Sequence, residues 1–197
     1  MMLNENRFRI ALNEFARMYS SNPFECLYES DVQILLGRIL TEHFKDTPHL
    51  VKKEDKILNL GKVHSEYPNN LLFDLVVLAE LREGENNHLY DQNIQYAVEL
   101  KLVPTGMKGV AMFDHSKDDL IRLVGKYKAL KNGDQVEELV QLTVFHEVAQ
   151  QRKFLQYHLN ENWTEGLLRE LSENSQILYQ YVDLTTWTVR DVFDLRN

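Results

Sequence analysis

Apolar residues recur at helical spacing over residues 4–19, where Phe8, Ala11, Leu12, Phe15 and Met18 share one face. Ser20-Ser21-Asn22-Pro23 ends that run, and the stripe suits a packing face or a dimer contact. A second helix is expected behind Ser30, with Ser30 as N-cap and Gln33 three residues on in the manner of a capping box. Val32, Leu35, Leu36, Ile39 and Leu40 supply its buried face, and Glu29 lies just before the cap, where a carboxylate favours the positive end of the helix dipole. The period then shortens to two. Strands are expected over 57–63, 73–79 and 96–102, with Pro68-Asn69-Asn70 as a turn and the polar, acidic stretch 82–93 as a hairpin loop. Pro104-Thr105-Gly106 breaks the third strand.

Ser116, with Asp119 three residues on, reads as the cap of a helix running to about 131. Leu120, Ile121, Val124 and Tyr127 form its apolar side, while Asp118, Arg122 and Lys126 line a polar stripe. A strand over 139–148, a helix over 162–174 behind Asn162, a strand over 176–184 and a short terminal helix from Thr185 complete the pattern. The order α-β-β-β-α-β-α-β predicts an α/β class with a mixed central sheet flanked by helices. The helix after the third strand serves as a crossover between parallel strands. No repeat or low-complexity linker divides the chain, so 1–197 is expected to be a single domain: a helical extension over 1–22, a core over 29–148 and a C-terminal extension over 149–197.

Composition adds three constraints. A hydrophobic fraction of 44% with 8 Gly and 4 Pro fits an ordered core. Cys26 is the single cysteine, which excludes an internal disulfide and points to a reducing compartment. The start of the chain lacks an apolar leader and no apolar run reaches membrane-spanning length, so a cytoplasmic protein without a membrane partner is expected. Net charge −8 opposes broad binding to nucleic acid. The charge is uneven, however: between 101 and 131 there are seven Lys and Arg against three acids. Lys117, Arg122 and Lys126 belong to that stretch and either form a phosphate-binding face or an ordinary solvated helix side.

The candidate chemistry lies in two strands that carry charge among apolar residues. Asp74 interrupts Phe73-Leu75-Val76-Val77, and Glu99 and Lys101 share one face of their strand while Val98, Leu100 and Leu102 share the other. A carboxylate in such surroundings must be solvated at a cleft, paired with a cation or bound to a metal. If the strands are neighbours, Asp74 and Glu99 can present oxygens to one hard cation. Alternatively, Asp74 and Lys101 form a cross-strand ion pair and Glu99 is a surface charge. Competing sites are lacking: the seven histidines show no zinc-site spacing, Cys26 has no recognisable base and suits a buried thiol, and no phosphate-binding loop or dinucleotide fingerprint is present.

An Asp on one strand, Glu-x-Lys on the next and a preceding helix bearing Glu29 resemble the PD-(D/E)XK nuclease superfamily, whose restriction-endonuclease-like fold has an αβββαβ core. Phe73 stands where that motif has Pro. The resemblance implies a metal-dependent nuclease, above all a DNA endonuclease, or a non-catalytic member of the fold that binds nucleic acid or protein. It further implies Mg2+, with Mn2+ as a substitute, held by Asp74, Glu99, the Leu100 carbonyl and Glu29. Lys101 would act on the attacking water, and Lys117, Arg122 and Lys126 would hold DNA. A homodimer or a partner subunit fits the same resemblance.

Overall fold

A computed structural model describes residues 6–46, 50–53, 56–59, 61–68, 71–79, 93–106, 109–130 and 136–196. Two helices open the chain, α1 (Arg7–Ser21) and α2 (Glu29–Phe44), separated by a 3-10 turn at Pro23–Glu25. A small hairpin follows, β1 (Leu50–Lys53) against β2 (Lys56–Asn59). Six further strands make one sheet in sequential order: β3 (Val63–Tyr67), β4 (Phe73–Leu78), β5 (Ile94–Val103), β6 (Glu138–Phe145), β7 (Ile177–Asp183) and β8 (Thr188–Asp191). Pairs β5–β6 and β6–β7 are parallel, and the outer pairs are antiparallel, so the sheet is mixed. The long α3 (Gly109–Ala129) connects β5 to β6, while α4 (Val148–Asn160) and α5 (Glu165–Glu173) connect β6 to β7. The α/β class with helices on both faces is as expected from the pattern.

Every residue of β6 is buried, as befits a central parallel strand covered on both faces, and this is why its sequence does not alternate. On one face, Phe8 of α1 stacks on Tyr96 at 4.5 Å and Phe44 of α2 approaches the same ring. Gly37 of α2 lies where an added Cβ would meet Leu75 at 3.4 Å, so a small residue lets the helix sit close over β4. On the other face, α3 is tied to the sheet by a buried chain of hydroxyls. Tyr179 donates to Ser116 at 2.9 Å, and Ser116 and Thr143 share a bond of 2.8 Å.

Several elements differ from the sequence pattern. The strand expected over 57–63 divides at Gly61 (φ 64°) into β2 and β3. Tyr28, not Ser30, is the N-cap of α2, because the Asp31 carboxylate accepts from the Leu27 and Tyr28 amides. Ser116 does not cap α3, which begins at Gly109. Phe113 draws the extra turns in by packing against Phe154 and Trp163. Ile121 is exposed and Leu123 is buried in its place. The helix expected over 162–174 is α5, capped by Thr164, and α4 precedes it unannounced. Residues beyond Thr185 form a turn through Trp187 (φ 59°), then β8, and only then a 3-10 turn at Phe193–Arg196. Apart from Asn93, the expected 82–93 loop lies outside the described residues.

Candidate metal centre

The site arises where two neighbouring strands part. Strand β4 pairs with β5 as far as Leu75 opposite Val98, while β5 continues to Val103 on its β6 side. One step past the Leu75–Val98 pair, Asp74 stands opposite Glu99 on the α3 face. The amides of Leu100 and Leu102, which point toward the departed strand, need other acceptors. Asp74 Oδ2 takes the Leu100 N–H at 2.6 Å, and Glu29 Oε2 takes the Leu102 N–H at 3.0 Å. The Leu100 carbonyl leaves the strand on the same edge as its N–H. These acids are thus fixed by the backbone they cap. Gln33, one turn along α2 from Glu29, donates to the Asp74 carbonyl at 2.6 Å and holds the end of β4 in place.

Two lysines enter the cluster. Lys101 Nζ is 3.6 Å from both Glu29 Oε2 and Asp119 Oδ2. Lys126 reaches down from α3 to bind Glu99 Oε1, donates to the Leu72 carbonyl at 2.9 Å and lies 5.0 Å from the Phe73 ring centroid. Leu72 carries φ 52°, a left-handed conformation costly for a leucine, and that conformation accompanies the carbonyl Lys126 uses. Arg122 binds Asp119 from its exposed side. Glu29, Asp74, Glu99 and Asp119 therefore face two ammonium groups and one rim guanidinium, and negative charge is in excess.

Burial and crowding leave their mark on the two strand acids. Burial pushes the Asp74 carboxyl up, the Leu100 N–H pulls it back and the charge of Glu29 adds to the rise. Burial drives Glu99 up to about 7, opposed by its hydrogen bond from Lys126 and reinforced by Asp74. Asp74 Oδ1 and Glu99 Oε2 make no hydrogen bond among the described residues. Neither is among the fully buried polar atoms left without a partner, so both reach solvent.

Asp74, Glu99 and Lys101 are thus brought to one place, with the Leu100 backbone between them. Glu29 joins from α2, held to Lys101 and Leu102 rather than converging with the other two acids. Among the described residues no set of three or more Asp, Glu, His or Cys side chains converges to hold a metal ion. Lys126 is inside the cluster rather than on a rim, and Arg122 is at the rim. Lys117 is elsewhere: it binds Glu161 and lies 6.0 Å from the Trp163 ring centroid. Asp119 and Gln33 belong to the site without standing out in the sequence pattern. Ser-x-x-Asp and Ser-x-x-Gln both resemble capping boxes, and those apparent boxes concealed residues that face the strands. His146, without a role from sequence, binds the Cys26 carbonyl at 2.7 Å and accepts from the Thr105 amide at 3.3 Å, a structural tie; Cys26 is buried as expected. Among the described residues no helix is long and apolar enough to cross a membrane. No family model, no curated protein and no solved structure matches this chain.

Proposed function

We propose that this chain is a metal-dependent nuclease of the PD-(D/E)XK, restriction-endonuclease-like type, acting on DNA as an endonuclease. The observation that carries the reading is the juxtaposition of Asp74 and Glu99 where the strands part, each with one oxygen free of hydrogen bonds among the described residues and two lysines at hand. The order α2-β3-β4-β5-α3-β6 supports it, since it contains the αβββαβ succession with the β1–β2 hairpin inserted. The donor set fits Mg2+, which commonly binds through one or two carboxylates and keeps several waters. Asp74 Oδ1, Glu99 Oε2 and the Leu100 carbonyl would hold it. Two crowded carboxylates with raised proton affinity are the surroundings a divalent cation relieves.

When bound, such an ion polarises a phosphate oxygen and makes its water a stronger nucleophile near neutral pH. The chain's own residues do the rest. Lys101, set between Glu29 and Asp119, orients the attacking water and places positive charge where the phosphorane gains negative charge. Lys126 exchanges Glu99 for the incoming phosphate and so offsets its charge. Arg122 extends that positive face at the rim. Asp119 keeps Lys101 aimed at the site.

One observation favours a non-catalytic binding member of the same fold: Glu99 is already paired with Lys126, and Asp74 with the Leu100 amide. A cleavage assay on single- and double-stranded DNA and on RNA, with Mg2+, Mn2+ or EDTA, separates the two. Metal-dependent cleavage lost in Asp74→Asn supports the nuclease. Binding of nucleic acid without cleavage, unchanged by EDTA, supports the other.

A further inference from the structure

Gln141 lies on β6 at the position paired with Glu99 on β5 and with Tyr179 on β7. Neighbours in register share a sheet face, so its side chain lies beside Glu99 under α3. It is 0% exposed, and neither its Nε2 nor its Oε1 has a hydrogen-bond partner. Nearby polar side chains on this face have partners: Ser116 bonds both Thr143 and Tyr179, and Lys101 lies between two carboxylates. Burying a carboxamide with both ends unpaired costs free energy that a leucine at the same position would not. The other two polar side chains of β6 are bonded, Glu138 to Asn6 and Arg9 and Thr143 to Ser116, so a glutamine with no structural bond calls for another explanation.

We infer that Gln141 is a positioning residue for Glu99, its carboxamide supplying a second hydrogen bond that holds the Glu99 carboxylate when a metal ion is bound. Adjacent same-face residues of paired strands are about 5 Å apart at Cβ, within reach of a glutamine amide. Lys126 holds Oε1 alone, and a second donor fixes the orientation of the carboxylate toward the metal. The inference rests on the metal-site reading above and adds a residue from a third strand to it.

The test uses the full chain as parent, Gln141→Leu and Gln141→Met, methionine being an unbranched match without a hydrogen-bonding amide. Melting midpoint in EDTA and Mn2+ affinity by calorimetry are measured for each. Both variants are expected to melt at or above the parent's midpoint and to bind Mn2+ roughly 10–100-fold more weakly, as when an outer-shell partner of a metal ligand is removed. Lowered midpoints, or failure to fold, would show that the amide serves the fold and would overturn the inference. Mn2+ affinity within twofold of parent would overturn it alone, leaving the metal site standing. A parent that binds no Mn2+ would remove the metal site and this role together.

Discussion

Replacing Glu99 by Gln should stabilise the protein in a pH-dependent way. Glu99 is 14% exposed, beside Asp74 on an apolar strand, and its carboxyl ionises near pH 7 instead of at its ordinary 4.5. Its proton is therefore held more tightly in the folded chain than in the unfolded one. The stability linked to that proton is fully present below pH 4.5 and is lost as pH rises through about 7. The displacement corresponds to about 3 kcal/mol at pH 8. Glutamine keeps an acceptor for Lys126 and carries no charge, so Glu99→Gln should match the parent near pH 4.5 and exceed it at pH 8. For a chain of this size, about 3 kcal/mol is roughly 6–12 °C in melting midpoint. The assay is thermal unfolding in EDTA at intervals from pH 4.5 to 8.5. Mg2+ added at pH 8 should raise the parent's midpoint by mass action and leave the variant's unchanged. A variant less stable than parent at pH 8 would show that the Lys126 pair outweighs burial and Asp74, and would refute the reasoning.

Lys101→Ala should abolish cleavage while leaving Mn2+ affinity within a few-fold, since an ammonium is no metal ligand; cleavage retained with a lowered melting midpoint would make Lys101 structural. Neutralising Arg122 and Lys126 together should weaken DNA binding and flatten its dependence on salt, whereas Lys117→Met should leave the salt slope unchanged because Lys117 belongs to the Glu161–Trp163 contact. Ser116→Ala should cost about 1–3 kcal/mol in denaturant unfolding, because it leaves the buried Thr143 and Tyr179 hydroxyls without their partner.

The strand acids were legible because charge inside an apolar, period-two run is conspicuous, and one hairpin length between the runs implied neighbouring strands. What was not legible depends on contacts between distant elements. Helix α4 escaped detection because its inward positions include Gln150, Gln151 and His158, which break the apolar stripe while being buried. Gln151 is accounted for only in three dimensions: its amide donates to Asp183 at 2.9 Å and its oxygen accepts from the Leu184 amide at 2.9 Å. Lys126 read as one member of a polar stripe, either phosphate-binding or solvated, and nothing local distinguishes a lysine that reaches Glu99 from one that meets phosphate or water. Strand β8 was hidden by the Thr-rich turn before it, where Asp183 gathers the Thr185 amide and hydroxyl.

The central claim is that Asp74 and Glu99 together hold one divalent cation. Anomalous scattering from a crystal grown with Mn2+ at pH 8 tests it most directly. The expected result is one strong peak within about 2.3 Å of Asp74 Oδ1 and Glu99 Oε2, absent from a Glu99→Gln crystal grown alongside. A map with no peak there at saturating Mn2+ would contradict it.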